Sequence, residues 1–259
     1  MSNIIAVSNQ KGGVSKTTTA YNLGACLALN HNKRVLLADI DPQANLTEYC
    51  GYEVDYNLTM TSLIMTVCNN GSVSPDKVKS AIRHCDKAGV DFIPSDINLA
   101  SIETFMSSAL SRETILRRIL SKEVTKNYDF VIIDCLPSLS TLLINAVSAS
   151  DKVLIPVQTQ KFSLDGLQAL ESILNQVKIT INPGLQLIGV LPTMVDRTKI
   201  SRNAVETLAE KYGNYLFKTV ISKSVDAAKS SETGIPLCAT NSKLGIEYET
   251  FAMEVLERC

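Results

Sequence analysis

The stretch Asn9-Gln10-Lys11-Gly12-Gly13-Val14-Ser15-Lys16-Thr17-Thr18-Thr19 constrains the fold more than any other part of the chain. An apolar run, Ile4 to Ser8, precedes it. A helical pattern follows from Thr17 to Asn30, with Ala20, Leu23, Leu27 and Ala28 along one side. A glycine-rich turn between a strand and a helix suits phosphate binding, because consecutive backbone N–H groups and the positive end of the helix dipole converge on an anion. Gly12 and Gly13 permit a close approach. Lys16 is placed to reach the β- and γ-phosphates of a nucleotide, the Thr17 hydroxyl to ligate magnesium, and Thr18 to contact the α-phosphate.

The rest of the chain repeats that rhythm. Short runs rich in Ile, Val and Leu predict strands at Ile4 to Ser8, Arg34 to Ala38, Val90 to Pro94, Phe130 to Asp134, Lys152 to Pro156, Leu187 to Leu191 and Lys218 to Ile221. Between them, further helices are predicted at Ser111 to Leu120, Leu139 to Ser148, Leu164 to Lys178, Arg202 to Tyr212 and Gly245 to Leu256. Such alternation predicts an α/β fold with a doubly wound, mostly parallel sheet flanked by helices. No linker or composition shift divides the 259 residues, so one domain over 1–259 is expected.

Two acidic segments complete the pattern. The run Arg34 to Ala38 leads into Asp39 and Asp41, which are two residues apart and face one side of an extended chain. Paired carboxylates at the carboxyl end of a strand suit magnesium organisation and water activation. The apolar strand Phe130 to Asp134 delivers a single acid, as a Walker B segment does, and Asp134 is expected to hold magnesium through water.

Taken together, Lys11 to Thr18, the segment Asp39-Ile40-Asp41-Pro42-Gln43 and Asp134-Cys135-Leu136-Pro137-Ser138 resemble the deviant Walker A ATPases, specifically the ParA/Soj branch beside MinD. The usual loop of that family reads KGGVGKTT. Ser15 stands here where the family has glycine, and Gln10 occupies the first glycine position of the ordinary P-loop, so a Cβ enters the loop at Ser15. The resemblance implies ATP and magnesium as ligands, with Gly12, Gly13, Val14, Ser15, Lys16, Thr17 and Thr18 around the phosphates. It implies Lys11 as a signature lysine reaching the partner's phosphates across a nucleotide-sandwich dimer. By the same resemblance Asp41 positions the attacking water, Asp39 supports the metal shell and the loop, and Cys135 is a structural residue. The block Ile155 to Leu167 and the segment Leu191 to Asp196 extend the likeness from about residue 3 to the C-terminus, least specifically between Gly51 and Ala88.

A net charge of −1 excludes a globally basic nucleic-acid binder, so any DNA contact has to be a local patch. Between Arg197 and Lys229 there are seven basic residues against three acidic ones. Members of this family bind DNA nonspecifically as ATP dimers through basic residues in this region, which singles out Lys199, Arg202, Lys223 and Lys229. Relatives often carry two arginines in a segment resembling IPRNVRLSEAP; here Lys223 keeps one charge and Asp226 reverses the other. The resemblance thus implies a cytoplasmic partition ATPase that is nucleoid-associated when ATP-bound, slow alone and stimulated by a ParB-like partner.

Three alternatives stand beside it. A MinD-like switch needs a basic amphipathic C-terminal helix, whereas Glu247 to Cys259 is acidic, so no stable membrane binding is expected. No run reaches the roughly 18 apolar residues of a membrane span. A reductase of the nitrogenase iron-protein type needs two cysteines per subunit for a shared cluster, and only Cys135 lies beside a nucleotide motif. The scattered seven cysteines, without a CxxC pair, fit reduced thiols. Finally, Ser15 is compatible with a binding switch that hydrolyses little.

Overall fold

A computed structural model describes residues 2–54, 57–160 and 164–259. Its seven-stranded sheet runs in the order β3-β4-β2-β5-β1-β6-β7. The strands are β1 (Asn3–Val7), β2 (Val35–Asp39), β3 (Arg83–Cys85), β4 (Val90–Ile93), β5 (Phe130–Asp134), β6 (Lys152–Gln158) and β7 (Gln186–Thr193). All neighbours pair in parallel except β3 with β4. The central strands are apolar on both faces because helices cover both. Ala6, Leu36, Ala38, Val131 and Ile133 face one core with the helices Met60–Asn70, Thr141–Ala149 and Leu164–Thr180. Ile5, Val7, Val35, Leu37, Phe130 and Ile132 face the other, built on α1 (Lys16–Leu29) and the C-terminal helix Lys243–Arg258.

Six of the seven expected strands form. The seventh, Lys218 to Ile221, does not. This segment runs beside β7 irregularly: the Phe217 and Ile221 amides donate to the Val190 and Pro192 carbonyls at 3.0 and 2.9 Å, and isolated bridges form at Val190–Leu216 and Val195–Ser222. Between them the carboxylate of Glu254 accepts from the backbone N–H groups of Lys218, at 3.0 Å, and Thr219, at 2.7 Å, and so takes two donors a ladder would use. The seventh strand is instead the short β3, within the least specific stretch of the sequence. The helix expected from Ser111 is also broken: Ser111 adopts a left-handed conformation without a side-chain cap, a 3-10 turn covers Arg112–Thr114, and α-helix spans only Ile115–Ile119. Two other helices start earlier than their patterns indicate, because Thr198 caps Lys199–Tyr212 and Ser242 caps Lys243–Arg258. The C-terminal helix buries Leu244, Tyr248, Phe251 and Val255 in the core. Among the described residues, no helix is long and apolar enough to cross a membrane.

Candidate nucleotide site

Parallel pairing brings the carboxyl ends of β1, β2, β5 and β7 to one end of the sheet. There a cavity of about 350 Å³ is lined by Gly12, Gly13, Ser15, Lys16, Thr17 and Thr18 from the loop after β1, by Asp41, Gln43, Asn45 and Tyr49 after β2, and by Pro137, Met194 and Ser231. The loop is tied at both ends. Asn9 accepts from the Lys11 amide at 3.0 Å while its own amide donates to the Pro156 carbonyl, and Thr193 donates to the Val14 carbonyl at 3.1 Å. Gly13 and Ser15 both have positive φ, 71° and 68°. Serine therefore holds at the start of α1 the backbone angle that glycine adopts at lower cost.

Lys16 is almost fully buried and its ammonium donates to the Lys11 carbonyl at 3.1 Å. Burial pulls its pKa down, while Asp134, Cys135 and Asp41 pull it back up. Asp134 sits in register between Val7 and Asp39, and neither of its buried carboxylate oxygens has a formed hydrogen bond. Burial, then the Asp39 charge, push its carboxyl well above the usual range; the Thr17 side chain and the Lys16 ammonium oppose this. A buried, unanswered carboxylate beside a threonine hydroxyl and an ammonium group fits a cation bridging to phosphate. Among the described residues, no group of three or more His, Cys, Asp or Glu side chains could hold a metal by themselves.

The two acids at the end of β2 and just beyond it part company. Asp41 lines the cavity, and its carboxylate accepts from the Gln43 amide at 2.9 Å. Asp39 is fully buried and does not line the cavity: one oxygen accepts from the Asp41 amide at 3.1 Å and the other from the Thr47 amide and hydroxyl at 2.9 and 2.7 Å. Burial raises its pKa to about 7 despite these bonds. Cys135 is also buried, which pushes its thiol up. Lys11 and Val14 contribute to the loop but do not line the cavity. Gln43, Asn45, Tyr49, Pro137, Met194 and Ser231 were absent from the sequence-derived set. The family block from Ile155 to Leu167 crosses 161–163, which lie outside the described residues.

The four candidate DNA contacts lie in three places, two helices and the loop between them, and all are exposed. Lys199 and Arg202 lie on one face of the helix that begins just beyond β7. The Lys223 main chain is tied to the stretch just before that helix, its amide donating to the Val195 carbonyl at 2.9 Å. Lys243, not singled out by sequence, donates to the Ser222 hydroxyl at 3.0 Å and is paired with Glu247 at 3.3 Å. Lys229 is carried elsewhere, on the helix Asp226–Thr233.

The AAA domain family AAA_31 matches residues 2–187. The chain is 41% identical over 239 residues to the sporulation initiation inhibitor protein Soj of Bacillus subtilis, covering 92% of this chain and 90% of that protein. It is 34% identical to the chromosome partitioning protein ParA of Caulobacter vibrioides, covering 98% and 94%. Its fold is similar to the structure of cobyrinic acid a,c-diamide synthase from Mycobacterium smegmatis with bound ADP and magnesium, with a TM-score of 0.83, 33% identity and coverage of 99% and 95%. With this glycine-rich loop, these acids and relatives matched over nearly the whole chain, the protein belongs to the ParA/Soj family of P-loop ATPases.

Proposed function

We propose that this protein is a DNA-partition ATPase: ATP joins two copies into a sandwich dimer, the dimer holds DNA without sequence preference, and hydrolysis stimulated by a ParB-like partner releases it. The observation that carries the reading is that the exposed Lys199 and Arg202, and the Lys223 backbone bonded to Val195, follow closely on Thr193, the residue whose hydroxyl ties the phosphate loop to β7. Exposed cations placed together bind phosphate backbones, and here they adjoin the element that braces the nucleotide loop.

In this reading the amides of Gly12 to Thr18 and the Lys16 ammonium bind the phosphates, and Lys11 serves the partner's nucleotide across the dimer. Asp41, in the cavity wall, orients the attacking water. Asp39 acts through the backbone, fixing Asp41 and Thr47. Thr17 and, through water, Asp134 would hold magnesium, which supplies charge neutralisation at the phosphates when bound. Turnover is slow in the isolated protein, and the ATP-bound form resides on the nucleoid in the cytoplasm.

A second reading follows from the likeness to a diamide synthase: ATP use coupled to small-molecule synthesis. One experiment separates them. Oligomeric state and DNA retention are measured with ADP, ATP and a slowly hydrolysed ATP analogue at low and moderate salt. ATP-dependent dimers that hold DNA at low salt and release it at moderate salt support partition; a nucleotide-loaded monomer that ignores DNA overturns it.

A further inference from the structure

We infer that Tyr49 is a positioning residue that passes the state of the nucleotide cavity to the helix Asp226–Thr233, and with it to Lys229. The inference rests on nucleotide binding in the cavity described above. Four observations carry it.

The first is that both ends of the connection face the cavity: Tyr49 lines it from the segment after β2, and Ser231 lines it from the helix. Another is a buried chain of hydrogen bonds with every direction assigned. Asn22 in α1 donates to the Thr18 carbonyl at 2.9 Å and to the Tyr49 hydroxyl at 3.3 Å. Tyr49 donates to Ser230 at 2.6 Å, and Ser230 donates to the Ile235 carbonyl at 2.6 Å. Asn22 also accepts from the Leu237 amide at 2.7 Å.

A third observation is the stacking of Tyr21 on Tyr49, with centroids 3.9 Å apart and planes at 14°, while the Tyr21 hydroxyl donates to the Gly234 carbonyl at 2.6 Å. The last is that Gly234, with φ of 66°, leaves no slack: a Cβ there would meet the Tyr49 carbonyl at 3.0 Å. Tyr49, Asn22 and Ser230 are almost fully buried. A satisfied buried network of this kind transmits displacement, because breaking any member strands a polar group. When a nucleotide draws in Asp41, Gln43 and Asn45, the Tyr49 ring moves with them, and Ser230 and Ile235 are bound to follow.

The test is hydrogen–deuterium exchange on the full chain, with and without a slowly hydrolysed ATP analogue. It compares the native protein, Tyr49→Phe, which keeps the stacked ring, and Ser230→Ala, with nucleotide saturation set by titration for each. In the native protein, exchange over 226–235 is expected to slow by about fivefold or more together with 41–49, the lower end of ordinary coupling between sites. In both variants the slowing at 41–49 persists and that at 226–235 is lost. A network that merely stabilises the fold would lower the melting temperature and leave the nucleotide response intact. The inference is overturned if either variant keeps the full response at 226–235, or if the native protein shows none there while binding the analogue. Failure of the native protein to bind the analogue in the titration would instead remove the nucleotide reading, and this inference with it.

Discussion

Ser15 stores a small strain at the most sensitive turn of the chain. A non-glycine residue in the left-handed region costs on the order of 1 kcal/mol or more, and glycine returns part of that gain through its freer unfolded state. Ser15→Gly is therefore expected to raise stability by about 0.5–1 kcal/mol, read from the urea midpoint. Alongside Asp134, Asp39 contributes to pH dependence. Its carboxyl lies near 7 in the fold and near 4 when unfolded, so across that window the folded chain holds a proton that the unfolded chain has released. Its contribution to stability is complete at the acid side and lost as pH rises through 7. Asp39→Asn should flatten the fall in urea midpoint between about pH 5 and pH 7.5, where Asp39 contributes most. Lys16, Thr17 and Asp134 were legible in sequence as candidates, because motif chemistry fixes their spacing. Tyr49, Met194 and Ser231 were not, since only packing brings three distant segments to one cavity wall.

At the scale of elements, the Thr47 hydroxyl is one of the ties that hold the short helix Asn45–Tyr49. Thr47 donates to Asp39 and accepts from the Ser95 amide at 2.9 Å, linking the segment after β2 to the turn after β4. Thr47→Val keeps the volume and leaves both partners buried and short of a bond, a loss of about 1–3 kcal/mol checked by chemical denaturation. The buried parallel strands were readable because burial on both faces forces continuous Ile, Val and Leu. Lys218 to Ile221 has a similar apolar look, yet whether it joins a ladder depends on Glu254, a residue 35 positions away from Thr219. Conversely β3, Arg-His-Cys, carries no apolar signature and forms because Gly89, with φ of 64°, turns the chain back along β4.

For the whole molecule, a near-neutral charge means that the proposed DNA retention would rest on where cations lie. If Lys199 and Arg202 each contact a phosphate, Lys199→Ala with Arg202→Ala should lower the slope of log affinity against log salt by about 2 and weaken all sequences alike, as measured by DNA binding across a salt series. The fold class was legible at this scale because seven alternating units leave few topologies; the spread of the candidate cations over two helices and a loop was not, since it depends on where those helices begin and end. The sheet's margins bear on a different property. On one side β3 is three residues long, and on the other the chain beyond β7 has its Lys218 and Thr219 amides claimed by Glu254. A row of open amides is a template on which another polypeptide can add a strand, the first step of aggregation. By accepting both amides, Glu254 leaves that margin fewer open donors on which a second chain could add a strand.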